Sequence, residues 1–333
     1  MCGLTGFFTG CQFARDCDKA HTACPHRMGP RLFANWHEKA SVRRSPRRVI
    51  DPEDVHLDLF PRDLVPVASH EIVTSRYPEK IPHLLALWLY RYLTFTVNLE
   101  TLVVNTTTSR LVSNKAPVAL SGDEILFAYK VYCDEAYHAL FCADMLQQVY
   151  SQSDFRPAPQ GRPSFLLEYE KIDGDPVETA IRQFIFTAVS EMLITVSLNN
   201  VREGLKENTP LAIRQIMTDH AQDESRHHAF YRDILKTFLG QLAKDEAVRL
   251  AASMPNYLMA FVAPDIPNIV AELEFVGLSP DEARQVCAET YRDQTVTDYA
   301  RACSTGLAGL LEETGLLERE DVAERFATAG ITG

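Results

Sequence analysis

The chain has 333 residues, 46% of them hydrophobic, which is enough for one large core or two ordinary ones. Its 15 glycines and 18 prolines exclude a low-complexity chain and argue against a turn-rich all-β fold. With 33 basic and 45 acidic residues the net charge is −12, a field that disfavours nucleic acid and anionic lipid as partners, and no run approaches the roughly 20 consecutive apolar residues that cross a bilayer.

Residues 1 to 35 show no helical or strand period and read as a poorly ordered leader. They hold four of the eight cysteines: Cys2, Cys11, Cys17 and Cys24. With His26 these lack the paired C-x2-4-C spacing of a zinc site, so no zinc is expected there. There is no basic n-region followed by an apolar stretch, so the reading is a cytoplasmic protein with reduced thiols. Arg43, Arg44, Arg47 and Arg48 form a basic run before Asp51-Pro52, either a solvated face or a dock for an acidic partner.

Long helices are predicted from there on. Pro82 can start one, and its apolar pattern runs through Leu85, Leu89, Tyr92, Phe95, Leu99 and Val103 to about residue 108. Ser121 with Glu124 three residues on is a capping box, opening a second helix to about 151. Pro157, Pro159 and Pro163 mark a loop. Asp175-Pro176 starts a third helix, to about 204, and Thr209-Pro210 a fourth, from 210 to about 239. Shorter helices follow at about 242–253, 256–263, 266–276, 280–303 and 306–327. Four long helices suggest a bundle. The expectation is all-α: a ferritin-like four-helix bundle core with additional C-terminal helices, residues 36–333 forming a single domain.

Two of these helices repeat one motif. The second contains Asp134-Glu135-Ala136-Tyr137-His138 and the fourth Asp223-Glu224-Ser225-Arg226-His227. Residues i and i+3 share a helix face, so each Glu can grip a metal together with its His. A dinuclear site needs one more glutamate from each remaining helix. Glu100 and Glu191 lie in apolar runs where an unpaired carboxylate would be costly to bury. The four negative charges match two divalent cations. His220, four residues before Glu224, extends the stripe through Glu224 and His227, and His220 and His227 are expected on the same metal. Asp134 and Asp223 are placed to accept an imidazole N–H. Thr96 and Asn199, one or two turns from Glu100 and Glu191, are pocket candidates.

Glu100, Glu135-x2-His138, Glu191 and His220-x3-Glu224-x2-His227 together resemble the p-aminobenzoate N-oxygenase (AurF-like) family of ferritin-like di-iron oxygenases, over about Trp36 to Leu250. The resemblance implies two iron ions, with manganese the second choice, as suits a carboxylate and imidazole donor set without thiolate. It implies a monooxygenase-type enzyme that uses O2 to oxidise an amine nitrogen to hydroxylamine, nitroso or nitro, in secondary-metabolite (antibiotic) biosynthesis. The amine is a small molecule, free or tethered to a carrier protein. The sequence carries no flavin, nicotinamide or iron–sulfur motif, so an external electron donor is expected. A homodimer is compatible; nucleic acid and membrane are not expected partners. Ligands alone leave two alternatives open, a di-iron carbon hydroxylase or desaturase, and a ferritin-like metal-storage or oxidant-scavenging protein.

Overall fold

The computed structural model describes residues 32–332. The four N-terminal cysteines and His26 lie outside the described residues. Among the described residues every regular element is helical, the all-α architecture expected.

Four helices form the bundle. Helix α1 runs Ile81–Asn98, then widens into a π-helical stretch, Leu99–Val104, and resumes over Asn105–Val112. Helix α2 is Gly122–Gln152, α3 Pro176–Gly204 and α4 Leu211–Gln241. Their starts follow the local chemistry. Ser121 and Glu124 make the full capping box of α2. The Asp175 carboxylate accepts from the Val177 and Glu178 N–H groups at the head of α3, with Pro176 in the first turn, where its missing N–H costs nothing. Helix α3 packs chiefly on α4, and α1 on α2. By composition α3 is long and apolar enough to cross a membrane, but 72% of its most apolar window is buried; it is the central helix of the core.

Six helices complete the chain: α5 (Lys244–Ala251), α6 (Met254–Val262), α7 (Ile266–Phe275), α8 (Pro280–Thr290), α9 (Asp293–Glu313) and α10 (Glu320–Thr328). Two boundaries differ from the sequence reading. The helix expected over 280–303 breaks at Tyr291 and Arg292, which leave the helical region. The break expected near Gly306 is absent, because that glycine is interior to α9, with the His228 ring 3.2 Å from where its Cβ would stand. The chain turns instead at Gly315, whose φ of +66° suits a residue with no side chain.

Packing begins before residue 36. Phe33, within the segment read as leader, is 1% exposed and stacks on Phe127 at 5.1 Å. The arginine run then ties the entering strand to the bundle: Arg47 pairs with Asp144 of α2 at 2.8 Å and Arg48 with Asp219 of α4 at 2.8 Å.

The core is two apolar clusters. One gathers Val103, Val131, Phe184, Val189, Phe230 and Tyr231; the other gathers Leu89, Leu93, Cys142, Met145, Ile213 and Met217. Along α1, α2 and α4 the chain passes from one cluster to the other through a short polar stretch. That layer is the candidate site.

Candidate metal centre

All seven residues singled out as ligands meet in this layer. Glu100, Glu135, His138, Glu191, Glu224 and His227 are 0% exposed and His220 is 1% exposed. Three overlapping groups each bring their donor atoms within 4.8 Å: Glu100 with His138, His220 and Glu224; Glu135 with His138, Glu224 and His227; and Glu100 with Glu135 and Glu191. His220 and His227 fall in different groups, and these two groups share His138 and Glu224. On α4 the two imidazoles are seven residues apart, about 10 Å along the axis, with Glu224 between them.

Two neutral-looking runs, around Glu100 and around Glu191, conceal buried carboxylates. Both oxygens of each make no hydrogen bond in the protein, nor does Glu224 Oε2. Native interiors rarely leave such atoms orphaned. A cluster of orphaned donors aimed at one another fits cations in the gap. The electrostatics agree. Burial, then repulsion from the neighbouring glutamates, raises Glu100 and Glu191 well above the usual carboxylate range. Burial disfavours charge on His227 and His138 as well, but surrounding carboxylates outweigh it and hold both imidazoles well above their ordinary value. Carboxyl groups pushed toward the protonated form by burial and mutual repulsion are ones whose charge a bound cation would relieve.

The aspartates cross between helices. Asp134 of α2 accepts from His227 Nε2 of α4 at 3.1 Å, and Asp223 of α4 accepts from His138 Nε2 of α2 at 3.2 Å. Each bond fixes the tautomer that turns Nδ1 inward. There His138 Nδ1 lies 2.9 Å from Glu135 Oε2, and His227 Nδ1 lies 2.7 Å from Glu135 Oε1. The aspartates are held in turn. Trp36 Nε1 donates to both Asp134 oxygens at 3.0 and 2.8 Å. The Ser41 N–H donates to Asp223 at 3.1 Å, and Arg226 pairs with it as well. Burial opposes charge on Asp223, yet the hydrogen bonds from His138 and Ser41 leave it below the ordinary aspartate range. Trp36 and Ser41 were invisible to sequence reasoning, because only folding brings the 36–41 segment onto the bundle; Arg226, three residues after Asp223 on α4, was legible from spacing.

A cavity of about 460 Å³ is lined by residues of α1, α3, α6, α7 and α9, among them Tyr92, Ser197, Phe261, Asn268 and Tyr299. It shares Tyr92, Phe95, Ser197, Phe261, Val262 and Tyr299 with a smaller one of about 60 Å³, which reaches Thr96, Leu99 and Ser190, next in sequence to or near Glu100 and Glu191. Thr96 lines the smaller cavity. Asn199 lines neither cavity. Ser197, Asn200 and Val201 share the cavity face of α3, and Asn199 is turned about 100° away from Asn200. At the outer end Arg91 stacks on Trp88 at 3.6 Å and stands 3.2 Å from Glu272.

Residues 26–315 match the family described as P-aminobenzoate N-oxygenase AurF. The chain belongs to this family. The match covers most of the chain, including the four bundle helices and every residue of the polar layer. An N-oxygenase of this family would use O2 and an amine substrate.

Proposed function

We propose that the protein is a non-haem di-iron monooxygenase that oxidises the amine nitrogen of a small molecule held in the 460 Å³ cavity. The observation that carries this reading is the cluster of buried carboxylate and imidazole groups, with Glu100 and Glu191 lacking any protein hydrogen bond and their sequence neighbours Leu99 and Ser190 lining the smaller cavity. Glu100, Glu135, His138, Glu191, His220, Glu224 and His227 would hold two iron ions, which supply O2 activation when bound. The protein's own part is positioning. Asp134 and Asp223 orient the two imidazoles. Phe95, Leu99 and Phe261 keep water from the inner cavity, and its narrow end admits a group of few atoms, such as an amino nitrogen. Burial between two apolar clusters lets the electrostatics of the layer act unscreened.

Written as a balance, an amine, O2, two electrons and two protons give a hydroxylamine and water. The electrons come from an external donor. Further rounds give nitroso and nitro products, and a place in secondary-metabolite biosynthesis suits such chemistry. The test is iron loading under anaerobic conditions, a pulse of labelled O2 and mass analysis with 4-aminobenzoate and with an aliphatic amino acid. Label on nitrogen supports the reading. Label on carbon, or iron retained as a mineral in a large cage without product, overturns it.

A further inference from the structure

The chain is acidic overall, but the segment that enters the bundle is not. Between residues 36 and 48 lie Lys39, Arg43, Arg44, Arg47 and Arg48 against one acid, Glu38. Arg47 and Arg48 are paired with Asp144 and Asp219. Lys39, Arg43 and Arg44 are exposed and have no ion-pair partner among the described residues. Trp36 lies in the same segment, 8% exposed, with the exposed His37 ring beside it at 5.1 Å. Its indole N–H begins a continuous hydrogen-bonded line: Trp36 Nε1 to Asp134 Oδ2 at 2.8 Å, then Asp134 Oδ2 to His227 Nε2 at 3.1 Å.

The companion line has no such entrance. Asp223, behind His138, is held by a backbone N–H and a guanidinium, neither of which is readily oxidised. Indole is among the most easily oxidised side chains, so the two imidazoles differ in what stands behind them. The substrate cavity is lined by no residue of the 36–48 segment, so a partner on the basic strip leaves the cavity free.

We infer that this strip docks an acidic one-electron carrier protein, and that Trp36, Asp134 and His227 form the route by which its electrons enter. The inference rests on the oxygenase reading, which requires two electrons per oxygenation. Each carrier gives up one electron and leaves oxidised. Two encounters supply the pair, and the two protons come from solvent.

The experiment uses the full-length, iron-loaded ferric protein and a reduced plant-type [2Fe–2S] ferredoxin as the probe, mixed anaerobically while ferredoxin reoxidation is followed by absorbance. The association rate should fall about tenfold or more as salt shortens the Debye length from about 30 to about 3 Å. Arg43→Glu with Arg44→Glu should slow association by a similar factor, about tenfold, and flatten the salt dependence. Trp36→Phe should leave half-saturation unchanged and lower the saturated rate severalfold when compared at equal iron content. Amine oxidation driven by hydrogen peroxide needs no carrier and should be unchanged in the charge-reversed protein. Wild-type kinetics in the charge-reversed protein overturns the surface, and a wild-type saturated rate in Trp36→Phe overturns the route. Loss of peroxide-driven product in the charge-reversed protein also overturns the surface, because the arginines would then be structural, and a Trp36→Phe centre slowed by the same factor when dithionite replaces the ferredoxin overturns the route, because the change would then lie in the centre itself. Peroxide-driven product missing from the wild-type protein as well would count against the oxygenase reading, separately from the carrier kinetics.

Discussion

Replacing Glu272 by Gln should stabilise the protein, and the gain should depend on pH. Glu272 is 1% exposed in α7, accepts from Gln160 Nε2 at 3.1 Å and stands 3.2 Å from Arg91. Burial raises its carboxyl to about 7 from an ordinary 4.5, with Arg91 and Gln160 pulling back only part of the way. That rise of about 2.5 pH units, at about 1.4 kcal/mol each, makes the ionised folded form about 3 kcal/mol costlier than the neutral one. The sign follows from which state binds the proton. Below 4.5 both states are protonated and there is no penalty. Between 4.5 and about 7 the unfolded chain ionises while the folded one keeps its proton, so stability falls as pH rises, then levels off. Glutamine mimics the neutral form. At about 2 °C per kcal/mol, the variant should melt about 5 °C higher at pH near 8 and nearly level with wild type at pH near 5. Scanning calorimetry on both proteins at equal iron content measures this, since the metal centre's own pH dependence then cancels. A melting difference that is the same at both pH values, or a less stable variant at the higher one, refutes the reasoning.

Asp134→Asn should leave the helix intact but remove the acceptor that fixes the His227 tautomer, weakening metal binding by about 10- to 100-fold in chelator competition; wild-type affinity would show that the crossing bond is incidental. His220→Ala should fold normally and lower the occupancy of one of two irons by metal analysis, with a changed yield of N-oxidised product. Wild-type values in both would make His220 a bystander. Deleting residues 1–30 should leave iron content unchanged, whereas Phe33→Ala should destabilise by about 3 kcal/mol or more, because it empties a ring position against Phe127. Iron lost on truncation would give the N-terminal cysteines a structural role.

Much of the site was legible in the chain because its rules are local. The i, i+3 pairs Glu135/His138 and Glu224/His227 lie one turn apart whatever else the protein does, and the capping residues Ser121 and Asp175 set where their helices begin. Two glutamates in apolar runs announced themselves by cost: a carboxylate in such a run either reaches water or meets a cation, and Glu100 and Glu191 are both fully buried. The π-helical stretch at Leu99–Val104 left no such mark, since the apolar spacing reads equally well as α-helix.

The sequence by itself thus determined four long helices, an all-α bundle and the membership of the polar layer. Only the tertiary structure decided how those residues pair. Asp134 lies four residues before His138 and Asp223 four before His227, so periodicity alone allows each aspartate to serve its own helix. In the folded protein each serves the other helix, because α2 and α4 bring His227 within 3.1 Å of Asp134 and His138 within 3.2 Å of Asp223. Likewise Trp36 and Ser41 reach the centre across 98 and 182 residues of chain. Contacts set by spacing along one helix are written in the sequence; contacts between elements depend on how whole apolar faces pack, and no single residue carries that information.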